Sequence, residues 1–598
     1  MAVLHYTLDV RQPGRRRIAV TLEADRTALG LPPTSPTSGT EAEAVLFLPT
    51  WTPGSYLIRE YSRHLSTVEA TDAGTGGRLD CAKVAKNRFR VRLGPDTDRI
   101  CLRYTVYAHE LSVRTADLTT EHAYWNHACV LLWPLGCADT AARIAVLHPP
   151  SWQVATTLPQ AAEDAVDEQD RQVFVARDLD HAVDTPVLAG SNLVRREWTV
   201  LGVPHAAVFD GLGPVRPPQR LVEDLTAVVE RNAAVFGGTL PYDQYLFLCL
   251  FSDEGHGGLE HTDSTTLLGA RTDLRGGRDY REFVSLAAHE HFHVWNVKRM
   301  RPAEFWDYDY ENENHTQMLW LAEGFTAYYD DLICRRADVH SVQEYLDTLS
   351  RTFTNLFSAP GRHGYSLSDS SFDAWIRLYR PDENTRNSSQ NYYGNGAIAA
   401  LCLDFAIRSA TSGAKSLDDV MRALYASTFQ QGRGYTRADV ERALAVGGDL
   451  SGLLTALVDR GLDPDFPSVL RALGLRLVHR ERNKPWLGFS LRTDSPTIAF
   501  VYDGSPAWES GIAPGDELIA LQGIRVTTSN FNAVVQSVAE IGKPLRAITA
   551  TRGLLQEVSL VPVEHPFGVP MLEFDPDATP AACALRSQWL CDGNAAEA

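Results

Sequence analysis

The chain reads as a multidomain α+β protein, on three observations. Residues 1–195 alternate apolar and polar positions and carry frequent turn signals, the pattern of a β-rich domain. From 196 to 475 a few strands give way to long helical stretches. From about residue 480 a compact module begins after a breaker-rich segment. In the first region Ile18, Val20 and Leu22 alternate with polar or small residues, as do Phe89, Val91 and Leu93. Gln12-Pro13-Gly14, Thr52-Pro53-Gly54 and Gly94-Pro95-Asp96 mark turns, and the Pro/Ser/Thr-rich stretch 31–40 reads as a surface loop. Trp51-Thr52-Pro53-Gly54-Ser55-Tyr56 reads as a packed turn rather than a substrate-facing loop. In the second region Tyr245 to Phe251 is an apolar run of strand length. Helices are expected over 217–236, 281–298, 316–336, 342–356, 396–409 and 417–428. Leu462-Asp463-Pro464-Asp465-Phe466-Pro467 marks the next boundary. The module then spans 480–565, and 566–598 reads as a C-terminal tail, mobile from 593 on.

At 598 residues the length prior suggests about three to five domains. An apolar fraction of 44% with 22% charged residues is ordinary for a globular protein in water. The formal charge is −19 and the pI about 5.4, which opposes binding to nucleic acid or to an anionic membrane surface. The start lacks the layout of a signal peptide, and no apolar stretch approaches the ~20 residues needed to span a bilayer. Nine scattered cysteines without C-x-x-C spacing fit free thiols in a reducing cytoplasm.

His289-Glu290-His291-Phe292-His293 is H-E-x-x-H within an apolar helical stretch. On a helix, residues i and i+4 share one face, so His289 and His293 can reach one zinc ion at roughly 2.0–2.1 Å. Glu290 is then placed as a general base toward a metal-bound water. His291 points away and reads as a packing or hydrogen-bonding residue. A catalytic zinc needs a third ligand and an open fourth position. Glu323, the one acid before Asp330 in the apolar run from Leu319, is the candidate. Thr326 and Asp330 lie on its face and are candidates to hydrogen-bond a ligand histidine.

Two further stretches add specificity. His256-Gly257-Gly258-Leu259-Glu260-His261 follows the Tyr245 strand. A glycine-bearing strand offers an edge to an extended peptide, and Glu260 beside it can pair with a substrate ammonium. Tyr393 in Asn391-Tyr392-Tyr393-Gly394-Asn395-Gly396 can donate its hydroxyl to a developing oxyanion, with Tyr392 as the alternative. Together these stretches resemble the gluzincin site of the aminopeptidase N family. Gly257 to His261 is similar to its G-x-M-E-N motif, and Tyr393 to Gly396 to its Y-x-K-G motif, with Asn395 in place of lysine. Trp51 to Tyr56, Tyr379-Arg380-Pro381-Asp382-Glu383-Asn384 and the C-terminal module resemble the glycyl aminopeptidase family of PDZ-containing metallopeptidases. That resemblance implies a thermolysin-like catalytic domain over 196–475, one zinc per chain and a preference for small N-terminal residues. It also implies a PDZ-like domain over 480–565. There Trp486-Leu487-Gly488-Phe489 is similar to a carboxylate-binding loop, and Leu487, Gly488 and Phe489 would receive a peptide C-terminus.

The expected activity is therefore a zinc aminopeptidase acting on peptides with a free N-terminus. A PDZ-based peptide-binding scaffold with weak or no catalysis is the competing class, and a zinc endopeptidase the alternative within the same chemistry. Glu260 argues against the endopeptidase, because a carboxylate at the end of the cleft favours a free amino terminus over a continuing chain.

Overall fold

Alternation in the first third produces paired strands. In the computed structural model residues 2–33, 41–161 and 171–591 are described. Most of the loop expected at 31–40, and the segment 593–598, lie outside them. The chain divides into two units, 1–314 and 315–598, so the division falls inside the range read as one catalytic domain. In the first unit a six-stranded sheet runs in the order Arg171–Ala176, Ala141–Leu147, Val3–Asp9, Arg17–Asp25, Arg99–Tyr107, Leu65–Asp72. Two four-stranded sheets accompany it, with central strands Ala42–Phe47 and Arg88–Leu93 in one and Val187–Gly190 and His122–Trp125 in the other. Ile18, Val20, Leu22, Phe89, Val91 and Leu93 all join one buried cluster, so the period-2 pattern marks the core face.

The fourth sheet of this unit carries the site. Its strands are β1 (Val194–Val200), β2 (Val203–Asp210), β3 (Tyr245–Ser252), β4 (Gly257–Glu260) and β5 (Ser264–Ala270), in the order β1-β2-β3-β5-β4. β3 is parallel to both β2 and β5, and its first seven residues are buried. That burial on both faces explains an apolar run without alternation. β4 pairs antiparallel to β5 and ends the sheet, so Gly257 to Glu260 form an edge strand. Helix α1 (Arg220–Val235) connects β2 to β3, and α2 (Gly277–Phe292) follows β5. α2 ends before the expected 298. The helix stops at His293, and the chain turns back so that the Lys298 amide bonds the His293 carbonyl at 3.0 Å.

The second unit is mostly helical in its first half. The helix expected over 316–336 is split into α3 (Leu319–Ala322) and α4 (Gly324–Arg336). The break falls at Glu323, next to a glycine, a usual cause of a helix kink. Val342–Phe357 and Leu417–Ser427 begin at capping boxes of Ser341 with Glu344 and Ser416 with Asp419, which satisfies their first amides. α5 (Gly394–Ala410) is buried nearly throughout and packs along α4.

Beyond residue 480 a small β-module has its own apolar core, including Leu487, Phe489, Ile498, Leu518, Val534 and Ala547. The stretch from 566, expected as a tail, instead supplies a strand and a helix to this unit. Val569–Phe574 pairs with Leu475–Arg480, and Pro580–Cys591 is helical with Trp589 fully buried. The Trp589 indole donates to the Tyr328 hydroxyl at 2.9 Å and meets Phe405 edge-on. No helix among the described residues is long and apolar enough to cross a membrane. None of the nine cysteines forms a disulfide.

Candidate active site

In the first unit the last turn of α2 presents His289 and Glu290, and His293 caps it. The imidazole centroids of His289 and His293 lie 4.7 Å apart at 84°. His293 is buried, and its Nδ1–H donates to the Asn296 carbonyl at 2.6 Å. That bond fixes the tautomer and leaves Nε2 as the lone-pair donor, the arrangement metal-binding histidines use. The tight turn has a strained member: Val297 sits at φ 131°, a region β-branched residues avoid. The next residue, Lys298, is buried and pairs with Asp184 at 2.5 Å. Burial alone would raise the Asp184 carboxyl, but the Lys298 ammonium and the His261 imidazole together outweigh it and hold the group ionised. Asp184 also accepts from the Thr262 amide and hydroxyl at 2.9 and 2.5 Å. The turn after α2 is thereby tied to the residues just past Glu260.

His291 faces the other way. Its Nδ1 accepts from the Asn232 amide at 3.0 Å, and its Nε2–H donates to the Tyr242 hydroxyl at 2.7 Å. Tyr242 in turn donates to His205 Nε2 at 3.0 Å. Burial holds His291 well below the usual imidazole range, so it is neutral, as this chain of bonds requires. Glu290 and Glu260 are buried, and donor atoms of Glu260, Glu290 and His293 lie within 4.8 Å of one another. One oxygen of Glu260 has no hydrogen-bond partner within the described structure. The edge strand passes flat against Glu290: a methyl group at Gly258 would collide with its carboxylate. Arg114 donates to the Gly258 carbonyl at 3.2 Å and lies beside Gly257.

The turn Trp51 to Tyr56 is packed, as the sequence suggests. The Trp51 indole donates to the Asp309 carbonyl at 2.8 Å, and Tyr56 stacks on Phe305 at 5.8 Å. The Asn126 amide donates to Thr52 Oγ1 at 3.1 Å, and Arg59 Nε to Ser55 Oγ at 2.9 Å. The turn also reaches the site, which its sequence does not reveal. Gly54, at φ +83°, lies directly on Glu260: an added Cβ would sit 2.5 Å from Oε1 and 2.7 Å from the carboxyl carbon.

In the second unit Glu323 is buried at the α3–α4 break. Close helix contact sets its surroundings. An added Cβ on Gly324 would be 2.6 Å from the Gly396 Cα and the Tyr392 carbonyl, and one on Gly396 would be 2.9 Å from the Trp320 carbonyl. The last glycine of Tyr393-Gly394-Asn395-Gly396 thus lets α5 cross α4 and carries Tyr392 beside Glu323. Burial, with Tyr379 and Glu323 nearby, pushes the Tyr392 phenol well up. Tyr392 is buried, whereas Tyr393 is half-buried, stacks on it at 4.9 Å and meets the Tyr379 hydroxyl at 2.9 Å. Asn395 is buried and donates to Gln390 Oε1 at 3.0 Å. Thr326 donates to the Ala322 carbonyl at 2.8 Å, and Asp330 accepts from the Asp331 amide at 2.6 Å. In the C-terminal module Leu487 and Phe489 enter the core, and the carbonyls of Leu487 and Gly488 accept from the Ala507 and Tyr502 amides.

The residues present suit a zinc ion. A buried imidazole with its Nε2 lone pair set free by Asn296, a second imidazole one turn earlier and a buried carboxylate are zinc's usual donors. Two family models match the chain: M61 glycyl aminopeptidase over residues 282–399, and the peptidase M61 N-terminal domain over 5–191. Among solved structures, an aminopeptidase N family protein from Idiomarina loihiensis superposes with a TM-score of 0.88 at 26% identity, covering 98% of this chain and all of that one. An M1 zinc metallopeptidase from Deinococcus radiodurans, bound to Tyr-Ser-Ala, reaches a TM-score of 0.46 at 16% identity. It covers 77% of this chain and 94% of that one, and is too remote to bear on function. No curated protein matches.

Proposed function

The chain belongs to the M61 glycyl aminopeptidase family, and from that premise we propose that it is a zinc aminopeptidase releasing single N-terminal residues from peptides. One observation carries this reading. The carboxylate of Glu260 lies within 4.8 Å of Glu290 and of His293, with Gly54 set against it. An α-ammonium paired with Glu260 leaves room for only one residue before the hydrolytic groups. An internal stretch of chain would place no charge against that buried carboxylate.

His289, His293 and Glu323 would hold the zinc, one per chain. When bound, zinc supplies Lewis acidity that polarises the scissile carbonyl and acidifies water. Glu290 accepts the proton of the attacking water and delivers it to the leaving amine. The Gly258 backbone, flat against Glu290, limits the positions that carboxylate can take. Tyr393 donates its hydroxyl to the oxyanion. Its partial exposure favours it over the buried Tyr392. Gly257 and Gly258 give the substrate backbone an edge to lie along.

A small N-terminal residue such as Gly or Ala is the inferred preference, and nine cysteines with no disulfide among them support a cytoplasmic location. The module over 480–565 is inferred to be PDZ-like, with the loop at Leu487, Gly488 and Phe489 as its place for a peptide C-terminus. Zinc analysis beside amino-acid release tests the core of the proposal. Glu290→Gln should keep one zinc and lose about 10²–10⁴ in rate, the scale of general acid–base catalysis. Near-normal turnover by that variant, or undiminished zinc in His293→Ala, would contradict it.

A further inference from the structure

We propose that Tyr379 is a positioning residue that aims the Tyr393 hydroxyl at the oxyanion. This rests on the reading of Tyr393 given above. The two phenol oxygens are 2.9 Å apart, a hydrogen bond between two half-buried side chains. A phenol has one proton to donate and lone pairs to accept with. If Tyr393 donates to Tyr379, its proton is committed sideways and is lost to the reaction. If Tyr379 donates to Tyr393, the Tyr393 proton is turned away from Tyr379, and accepting the bond polarises that O–H. Negative charge building on the substrate oxygen selects the second arrangement. Tyr379 then follows the reaction without touching the substrate.

The surrounding structure holds Tyr379 in place for this role. Its amide donates to the Ala374 carbonyl at 3.2 Å. Two residues earlier, Arg377 pairs with Asp373 at 3.5 Å, lies over the Tyr365 ring and donates to the Ser388 carbonyl at 2.9 Å. Ser388 lies on the short stretch that leads to Tyr393, so the segments bearing the two phenols are strapped together. Tyr393 is fixed from its own side by its amide bond to Asn391 Oδ1 at 2.8 Å and by its stack on Tyr392. Asn384 and Thr385, farther along the Tyr379 segment, instead satisfy Asp382 in an exposed turn. The tyrosine is thus the member of that segment that reaches the Tyr393 hydroxyl.

The experiment compares Tyr379→Phe, Tyr393→Phe and the double variant, each as the full chain with its zinc content measured. Release of glycine or alanine from an aminoacyl anilide gives kcat and KM. Tyr379→Phe should lower kcat about tenfold, the scale of one neutral hydrogen bond, with KM and zinc unchanged. The double variant should match Tyr393→Phe alone, the signature of a residue whose effect on the reaction passes through that hydroxyl. Affinity for an amino-phosphinic transition-state mimic should fall in parallel, while affinity for the free amino acid product stays level. An unchanged kcat in Tyr379→Phe would overturn the proposal. So would losses that multiply in the double variant, since they would put Tyr379 on the substrate independently. A fully active Tyr393→Phe beside an impaired Tyr379→Phe would overturn it as well. Absence of any amino-acid release by the unaltered chain is the separate result that would remove the aminopeptidase reading itself.

Discussion

Glu260 shows what a single side chain can decide and how little of its setting sequence displays. Its residue type and its place after two glycines are legible, and they point to an ammonium partner. The wall behind it is not legible, because Gly54 comes from a distant turn whose sequence looks like packing alone. Both readings of that turn hold together: Trp51 and Tyr56 are buried, and the glycine between them touches the carboxylate. Gly54→Ala should therefore act twice. The left-handed backbone costs an L-residue about 1–2 kcal/mol. The added methyl must also displace Glu260 or the turn. We expect kcat/KM for free-amine substrates to drop at least about tenfold, one decade per 1.4 kcal/mol, with zinc content intact. Steady-state kinetics beside metal analysis checks this, and an unaffected kcat/KM would separate Gly54 from substrate binding. Tyr379 was hidden in a similar way, since its segment carries no chemistry of its own until the fold brings its hydroxyl to Tyr393.

Helices and strands were more legible than their ends. The apolar run of β3 and the helical patterns over 342–356 and 417–428 are local signals, and the strand and the helices 342–357 and 417–427 appear where those patterns put them. The end of α2 and the break at Glu323 depend on contacts that periodicity does not encode. The Asn296 carbonyl under His293 requires the turn, and the approach of Gly324 to Gly396 accompanies the break. The strand and helix past residue 566 were missed for the same reason, since the strand's partner lies near residue 475. The helix crossing makes a prediction at this scale. Gly396→Ala puts a methyl against the Gly324 Cα and the Trp320 carbonyl, backbone that cannot rotate away. Overpacking of that kind costs about 1–3 kcal/mol. Thermal unfolding should show the loss, and because Glu323 lies at this crossing, zinc affinity should fall with it. Wild-type zinc affinity in a destabilised variant would detach the crossing from the metal.

At the scale of the first unit, the β-rich first region and the five-stranded sheet β1-β2-β3-β5-β4 share a buried charged knot. His122 bonds Asp117 at 2.8 Å and Asp210, at the end of β2, at 2.5 Å. Burial opposes its charge, but the two carboxylates prevail and push the imidazole up to about 9. A raised folded value means that the stabilisation is full below the unfolded imidazole range near 6.5 and is lost as pH rises through about 9. The gain is on the order of 3 kcal/mol at most. The melting temperature should fall between those limits, and His122→Gln should be less stable at pH 6 and flatten the slope. A slope unchanged in that variant would remove the knot from the pH response.

The β-rich first region, the helical stretches that follow and the side chains proposed for the site were open to sequence reasoning, because side-chain type and spacing carry them. The shape around them was not. The account as a whole stands on Glu260 reading a free amino terminus beside the hydrolytic groups. The most direct test offers the enzyme a Gly- or Ala-aminoacyl reporter and its N-acetyl form under the same conditions. A blocked amine carries no charge and leaves a buried carboxylate unpaired, at a cost of about 1–3 kcal/mol or more. The predicted result is release from the free-amine reporter and none from the acetylated one. Equal cleavage of both would contradict the account and make the protein an endopeptidase.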